Sequence, residues 1–469
     1  MARRPNVLWL MADQLRADMI ACNGDPNVKT PNIDALAAQG VNFTQAVSGY
    51  PLCCPARGSM LTSIYPNRCT LGHEYRMPPE QTTIANVMNE NGYHTAYIGK
   101  WHLDGWHEKD SRAAWHVVPR ERRGGFNYWL GYENNNSQYD CYVHGGGEGY
   151  GEMSVTKLDG YETDCLTDLL LKHLDTVADD QPFFAVMSVQ PPHNPYVAPE
   201  RNQHYAAKDL KLRPNMPPEI PPYTEFVQEM RENLANAYAM IENFDENVGR
   251  VVQYLKDRNL YDNTIIMVFS DHGDMHGCHG WQRKTNPMEE SIRVPFIIGG
   301  MQLTHLTEMH GIQLPHLLNS VDIAPTTLGL CCLPCPREWE GVDYSDVCKR
   351  KKKGDFSYPT SAYLQNVIPE HHPHSVELPW RGVVTLDGWK YVCLEGMPWM
   401  LFNLNEDPYE LRNLAFHGLY HIKRAELSRQ LKDWIDRTGD TFRLPEIDQR
   451  NDLVENARDV FGYPHYPLD

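Results

Sequence analysis

The sequence predicts an α/β fold, in which a large, doubly wound, mostly parallel sheet lies between helix layers. A smaller C-terminal antiparallel sheet plus helix follows it. Three observations support this prediction. Short apolar runs alternate with helical patterns along most of the 469 residues. The run Thr264–Phe269 has no polar alternation, as expected for a strand buried on both faces. Beyond about residue 350 the pattern changes to short strands and one final helix.

The elements of the large sheet are predicted in chain order. Val7–Ala12 is the first strand. The next helix has Thr30 as its N-cap and Pro31 at its first position, and it ends at Gly40. The prolines of "SVQPPHNPY" are expected to end the strand that precedes them. The remaining predicted elements are a helix over Thr83–Asn91, strands over Thr95–Gly99 and Phe183–Val189, a long amphipathic helix over Leu234–Leu255 and another buried strand over Val294–Ile298.

The C-terminal part is predicted to form a separate unit. "RGVVTLDGWKYVCL" and "WMLFNLN" predict strands of a small antiparallel sheet, and His421–Thr438 predicts the helix against it. We therefore assign residues 1–360 to a large α/β domain and residues 361–469 to a smaller α+β subdomain. The segment Glu370–His374 reads as a surface loop, although it could also reach a site in the large domain.

Composition excludes several classes of function. The chain has 43 basic and 61 acidic residues and a net charge of −18, which argues against a nucleic-acid or anionic-membrane surface. No apolar run of about eighteen residues is present, so no membrane span is expected. The apolar run at the N-terminus is too short for an export signal, which predicts a cytoplasmic protein with reduced thiols. The oligomeric state is left open.

Polar, titratable residues stand just past the ends of four predicted strands. Ligands gather at this carboxyl edge in doubly wound sheets, so these side chains are expected to converge. Two pairs, Asp13-Gln14 and Asp271-His272, offer oxygen and nitrogen donors that suit a divalent cation. Oxygen-rich coordination favours Ca²⁺, while the histidine leaves Mn²⁺, Mg²⁺ or Zn²⁺ open. The other members of the set are Lys100, His102 and His193.

Three cationic side chains suggest what else this edge binds. Lys100, Lys284 and Arg57 could together clamp a small tetrahedral oxyanion. Such an anion would need a local positive pocket, because the protein as a whole is acidic. The segment Trp106–Gly151, rich in Trp, Tyr, His, Asn and Gly, is expected to form the rim of that pocket.

The stretch "YPLCCPARGSMLTS" carries a resemblance to a known family. Cys53-x-Pro55-x-Arg57, followed by Leu61-Thr62, resembles the sulfatase signature. Four further segments follow the family pattern in the same order. On these five matches the chain is identified as a member of the formylglycine-dependent sulfatases of the alkaline phosphatase superfamily. The four segments are "GYHTAYIGKWH", Ser270–Ile298, "SVDIAPT" and "LFNLNEDPYELRNLA".

The resemblance implies a mechanism. A formylglycine-generating maturation enzyme would oxidise Cys53 to formylglycine (3-oxoalanine), and Cys54 would be a bystander. One hydroxyl of the aldehyde hydrate would attack sulfur, and the other would later expel sulfate. The implied metal ligands are Asp13, Gln14, the modified Cys53, Asp271 and His272. The other implied roles are orientation of Cys53 by Arg57 and His102, sulfate binding by Lys100 and Lys284, and general acid catalysis by His193, with help from Lys284.

The predicted function is hydrolysis of a sulfate monoester, either a sulfated sugar or an aryl sulfate. Gln14 and His272 stand where many sulfatases have Asp and Asn, and such versions occur in relatives that cleave choline sulfate, phosphonate monoesters and phosphodiesters. A phosphonate monoester or phosphodiester hydrolase is therefore the alternative. A two-metal phosphatase would need a Ser or Thr nucleophile and a second Asp/His set. An inactive binding protein should have lost some of these charged positions.

Overall fold

The computed structural model describes residues 4–146, 151–300, 311–348, 358–370, 374 and 376–449. Its largest element is a ten-stranded sheet. The predicted strands and helices recur in the structure with boundaries shifted by a few residues, except that the long helix begins at Thr224 instead of Leu234. The strands of this sheet are β1 (Asn6–Asp13), β2 (Val41–Phe43), β3 (His94–Lys100), β4 (Tyr128–Tyr132), β5 (Tyr142–Gly145), β6 (Thr156–Lys157), β7 (Phe183–Pro192), β8 (Thr264–Ser270), β9 (Phe296–Gly299) and β10 (Ile312–Leu314).

Helices cover both faces of this sheet and also flank the smaller one. The long helix predicted around Leu234–Leu255 extends over 34 residues. The helices are α1 (Pro31–Gln39), α2 (Cys53–Thr62), α3 (Ile84–Glu90), α4 (Glu162–Leu174), α5 (Thr224–Asp257), α6 (Glu289–Ile292), α7 (Ile323–Leu330), α8 (Ser345–Cys348), α9 (His421–Thr438) and α10 (Glu446–Gln449).

The order of the strands brings four strand ends together. The sheet runs β10-β2-β9-β8-β1-β7-β3-β4-β5-β6, and the strands from β8 to β4 are parallel. Trp9 in β1 lies beside Val186 of β7 and Met267 of β8. The carboxyl ends of β8, β1, β7 and β3 therefore lie side by side, as expected for a ligand site in this fold.

Strand alternation divides the core into two layers. Trp9 and Met11 of β1 pack in one apolar cluster with helices α2, α3 and α7. Leu8 and Leu10 point to the other face, where they pack with α1, α4 and α5. Both faces of β1 are thus buried, which explains why its sequence is apolar throughout.

The smaller sheet supports one loop of the large one. Its antiparallel strands are β11 (Ser361–Asn366), β12 (Trp380–Thr385), β13 (Trp389–Leu394) and β14 (Met397–Asn403), and α9 packs against it. Trp380 donates its indole N–H to the carbonyl of Thr285 at 2.9 Å, and Lys390 forms an ion pair with Glu289 at 3.0 Å. These contacts hold the segment that follows Lys284.

The structure corrects several details of the prediction. β7 continues through the prolines to Pro192, since a strand end needs few ladder hydrogen bonds there. β9 pairs antiparallel with β8 and β2, a direction that an apolar run alone does not encode. β11 was not predicted, and the segment 106–151 contributes β4 and β5 to the sheet as well as loops.

Other expectations are only partly covered by the structure. The domain boundary between residues 360 and 361 stays a prediction, although β11 begins at Ser361. Residues 450–469 of the predicted C-terminal subdomain lie outside the described part of the chain. Within Glu370–His374, residues 371–373 also lie outside it. Glu370 itself is buried and accepts hydrogen bonds from the Tyr50 hydroxyl and the His73 amide. Among the described residues, no helix has an apolar stretch long enough to cross a bilayer.

Candidate active site

Helix α2 places Cys53 at its first position, against the carboxyl edge of the sheet. Pro55 is tolerated in the first turn because the amides there have no partner within the helix. Leu52 gives no side-chain cap, so the first-turn amides are available to an anion. Gly58 lets the helix approach the Thr70 hydroxyl, which a Cβ would meet at 2.4 Å. The signature therefore builds a buried helix whose N-terminus faces the site.

Four side chains from four segments surround the Cys53 sulfur. Lys284 Nζ lies 3.2 Å from Cys53 Sγ, and His272 Nε2 lies at the same distance. Asp13 Oδ1 is 3.7 Å away and Lys100 Nζ is 4.0 Å away. All five residues are buried. Position 53 is thus surrounded by metal-type ligands and by two ammonium groups.

The donor set fits a divalent cation. Ligand atoms of Asp13, Cys53, Asp271 and His272 lie within 4.8 Å of one another. The Nδ1–H of His272 donates to the Gly273 carbonyl at 2.9 Å, which leaves Nε2 as a lone-pair donor facing the cluster. Burial alone would raise the pKa of Asp13, but the surrounding cations, Lys100 first among them, hold that pKa well below its usual range. Asp13 therefore stays ionised, as a metal ligand must.

Gln14 is aimed into the site by residues that the sequence did not reveal. Its Nε2 donates to Asp274, whose carboxylate also accepts from the Tyr196 hydroxyl at 2.5 Å. The amide is thereby fixed with Oε1 inward, where it accepts from Lys284 Nζ at 2.9 Å. Gln14 has a φ of 67°, a left-handed conformation that is strained for a residue other than glycine. The geometry suits an amide-oxygen ligand.

Arg57 contacts the carboxylates rather than Cys53. Its guanidinium donates to Asp271 at 3.0 Å and to Asp13 at 3.1 Å. It also donates to the Lys100 carbonyl and the Ser188 hydroxyl, at 2.9 and 2.8 Å. The structure thus assigns Arg57 to fixing both carboxylates, and the predicted contact with position 53 is not among its hydrogen bonds. No role was predicted for Asp274, Tyr196 or Ser188, although Asp274 lies inside "SDHGD" and the other two begin and end "SVQPPHNPY".

Lys100 remains charged although it is fully buried. Burial alone would lower its pKa, but Asp13, 2.7 Å away, raises the pKa above its usual value. The ammonium group can therefore stabilise an anion bound beside Cys53. Lys284, from a separate segment, lies 3.2 Å from the same sulfur, so the two cations can bind different oxygens of one tetrahedral group.

The two predicted histidines differ in their contacts. The Nδ1–H of His193 donates to the Asn194 carbonyl at 2.6 Å, and its Nε2 accepts from Lys284 Nζ at 2.9 Å. Burial, and then the Lys284 charge, lower the pKa of His193 well below its usual value. His102 is buried with a φ of 55°, and its Nδ1 has no hydrogen-bond partner among the described residues. Its predicted role at Cys53 stays a prediction.

We expect Arg57→Met to destabilise the metal-depleted protein by about 3–5 kcal/mol, because buried Asp271 loses its arginine partner and buried Asp13 loses one of its two cationic partners, Lys100 being the other. A bound divalent cation should recover part of this loss. Arg68→Met is the control, since its ion pair with Glu340 is exposed on the arginine side and should contribute at most about 1 kcal/mol. Denaturant unfolding measures both variants. Equal losses would contradict the assigned role of Arg57.

Comparison with known proteins decides the family. The Sulfatase family profile matches residues 5–331, and the "N-sulphoglucosamine sulphohydrolase, C-terminal" profile matches residues 277–437. A relative called "Ulvan-active sulfatase", from Formosa agariphila, is 34% identical over 472 residues, which cover 98% of this chain and 85% of the relative. The chain belongs to the sulfatase family. It is a sulfuric ester hydrolase, and the sequence-based family prediction is confirmed.

Solved structures support the fold of this sulfatase. A putative sulfatase YidJ from Bacteroides fragilis superposes with a TM-score of 0.81 at 29% identity, with 95% of this chain and 97% of the other covered. A phosphonate monoester hydrolase of Agrobacterium radiobacter superposes with a TM-score of 0.73 at 21% identity, covering 93% and 96%. The latter shares the fold, and at that identity it says nothing further about substrate.

Proposed function

We propose that this sulfatase hydrolyses a sulfate monoester of a carbohydrate, with Cys53 converted to formylglycine and one divalent cation, Ca²⁺, beside it. The single observation that supports this most directly is the surrounding of Cys53. A carboxylate, an imidazole and two ammonium groups from separate segments lie within 4.0 Å of its sulfur. Such a set binds an anion next to a metal-bound nucleophile.

The chain's own residues bind and orient the ester. Lys100 and Lys284 approach position 53 from two sides and would each hold a sulfate oxygen. The amides at the start of α2 add a third source of positive potential. A cation held by Asp13, Gln14, Asp271 and His272 would polarise the sulfate group and favour ionisation of the nucleophilic hydroxyl. Formylglycine supplies that hydroxyl as an aldehyde hydrate.

The proton for the leaving oxygen comes from the pair formed by Lys284 and His193. His193 is a neutral acceptor at neutral pH, because its pKa is lowered and its Nε2 faces the Lys284 ammonium group. The ammonium N–H therefore supplies the proton, and the imidazole can relay it or hold the lysine in place. This modifies the predicted role of His193 alone as general acid.

A carbohydrate is favoured over a simple aryl sulfate by two observations. The relative that is 34% identical is named for activity on ulvan. Trp106 stacks on His116 with ring centroids 4.3 Å apart, and Trp281 is 45% exposed in the loop that carries Lys284. Exposed and stacked aromatic rings of this kind suit the faces of sugar rings.

Parallel assays test this proposal against the alternative of a phosphonate monoester hydrolase. That alternative follows from Gln14 and His272, which stand where many sulfatases have Asp and Asn. We expect turnover of 4-nitrophenyl sulfate and of sulfated oligosaccharides, with far slower turnover of a phenylphosphonate ester. Phosphonate turnover that exceeds sulfate turnover by orders of magnitude would replace the proposed function with the alternative. A panel of ulvan- and glycosaminoglycan-derived oligosaccharides, compared by kcat/KM, would identify the sugar.

His193→Ala should affect substrates according to their leaving group. We expect kcat/KM for a sugar sulfate to fall by about 10²–10⁴-fold, because the Lys284 ammonium loses the imidazole that positions it, or relays its proton, to the leaving alkoxide. The loss for 4-nitrophenyl sulfate should be much smaller, since nitrophenolate leaves without a proton. The loss with 4-nitrophenyl sulfate is thus the control for the loss with the sugar sulfate, both measured on the same variant. An equal loss for both would show that His193 acts on binding or folding instead.

A further inference from the structure

A second group of metal-type ligands lies behind the active-site cysteine. Donor atoms of Cys54, His73 and His102 lie within 4.8 Å of one another. None of these atoms belongs to the cation site formed by Asp13 and Asp271. The rings of the two histidines meet edge to face, with centroids 5.6 Å apart. One sulfur and two imidazole nitrogens thus converge, and of these three residues only His102 has a predicted role in the sulfatase reaction.

We propose that Cys54, His73 and His102 form a binding site for Zn²⁺. One thiolate and two imidazoles are the ligand types that zinc prefers in proteins, and they do not suit Ca²⁺ or Mg²⁺. Three protein ligands leave a fourth position for water. Coordination replaces the proton of the Cys54 thiol, which is released to solvent.

An unused donor supports the site independently of the clustering. His102 is 3% exposed, and its Nδ1 has no hydrogen-bond partner in the described part of the chain. A buried polar atom without a hydrogen-bond partner destabilises the folded protein, so binding of a ligand to this nitrogen would be favourable. The backbone of His102 is left-handed, a strained conformation of the kind that occurs at functional sites. A cation is one group that such a nitrogen can bind.

The surroundings permit a cation to enter. The sulfur of Cys54 accepts one weak hydrogen bond, from the Glu74 amide at 3.4 Å. The Glu74 carboxylate lies 3.6 Å from His73, whose side chain is 26% exposed and gives the site its route to solvent. Burial lowers the pKa of His73 to about 4 and that of His102 further below its usual value, so both rings are neutral ligands at neutral pH.

The geometry needs only a small adjustment. Zinc–ligand distances place neighbouring donor atoms of a tetrahedral site roughly 3.4–3.6 Å apart. The donors here lie within 4.8 Å of one another, so shifts of about 1 Å along the side chains close the site. His73 is partly exposed and can make such a movement without disturbing the core.

Zn²⁺ at this position would inhibit the enzyme. It would occupy the imidazole of His102, which the family resemblance assigns to orienting position 53, and would so disturb the placement of the nucleophile. This inhibitory role rests on the proposed function, whereas the binding itself does not. Cys54, directly next to the residue that is modified, would then act as the anchor of a regulatory site rather than as a bystander.

Cobalt spectroscopy tests binding without any enzyme assay. Mature protein with excess Ca²⁺ is titrated with Co²⁺, and a sulfur-to-cobalt charge-transfer band is expected that competes with Zn²⁺. Cys54→Ser should abolish the band and weaken Zn²⁺ binding by about 100-fold, and His73→Gln by about tenfold. Cys69→Ser is the matched control, since this buried thiol has two threonine hydroxyls beside it. An unchanged band and affinity in Cys54→Ser would overturn the site.

Inhibition is measured on the same proteins. Zn²⁺ should inhibit 4-nitrophenyl sulfate turnover in the wild type and in Cys69→Ser, and about 100-fold more should be needed in Cys54→Ser. Thermal unfolding of each variant establishes that it is folded. If Zn²⁺ binds in a way that depends on Cys54 but does not reduce turnover, the inhibitory role is wrong and the binding site stands. If sulfate turnover is absent altogether, the proposed function fails while the cobalt titration still decides the binding.

Discussion

Cys53→Ala and Cys53→Ser should both abolish sulfate ester turnover, with losses of about 10⁴-fold or more. Alanine carries no group that can be oxidised to the aldehyde, and the serine alcohol stays unmodified in a host whose maturation enzyme oxidises the cysteine thiol. Both variants should keep the fold, because Cys53 contributes one small buried side chain at the start of α2. Turnover is measured with 4-nitrophenyl sulfate, and the fold is checked by circular dichroism and thermal unfolding.

Two controls separate chemistry from packing. Cys54→Ala removes the neighbouring thiol from the same buried turn and should retain most activity, since Cys54 does not contact the cation cluster. Mass spectrometry of the tryptic peptide should show position 53 about 18 Da lighter than cysteine in active enzyme. Fully active enzyme that carries only the unmodified thiol would contradict the proposed nucleophile. Production in a host without the maturation enzyme should give an inactive protein that still folds.

The sequence predicted the site better than it predicted the sheet. Asp13, Lys100, His193 and Asp271 follow strands that were recognised from apolar runs, and topology brings the ends of parallel strands together. The direction of β9 could not be inferred in the same way, because an apolar run is compatible with either direction. Strand β11 has a mixed composition, which hides it among loops.

Residues that act through a neighbour were the ones missed. Asp274 fixes the amide of Gln14, and Tyr196 in turn donates to Asp274. Their roles follow from hydrogen bonds between distant segments, with separations of 260 residues for Gln14–Asp274 and 78 for Tyr196–Asp274. No local pattern records such a pair. Arg57 illustrates the same limit, since its motif was recognised but its partners became visible only in three dimensions.

Asp271→Asn should cost activity through the cation, with a loss of at least about 100-fold in metal affinity. Replacing groups that merely orient a metal ligand already costs about 10–100-fold. Asp271 Oδ1 also accepts a hydrogen bond from the backbone N–H of Gln14 at 3.0 Å, so the substitution disturbs the placement of a second ligand residue. Removal of the cation from the wild-type enzyme with a chelator should also abolish activity. Added Ca²⁺ should then restore the activity of the wild type at concentrations that do not restore the activity of Asp271→Asn.

A buried carboxylate outside the cation site serves as the control for whether the loss of activity in Asp271→Asn is caused by loss of the cation. Asp322 accepts backbone amides from Asn319 and Val342, and burial raises its pKa to about 7. Asp322→Asn should therefore retain both metal affinity and activity. Metal content, measured by mass spectrometry of the dialysed proteins, should be close to one ion at the Asp271 cluster in the wild type and in Asp322→Asn, and near zero in Asp271→Asn. Equal metal content in the two variants would mean that the cluster around Cys53 is not the cation site, and the chemistry proposed for position 53 would lose its electrostatic basis.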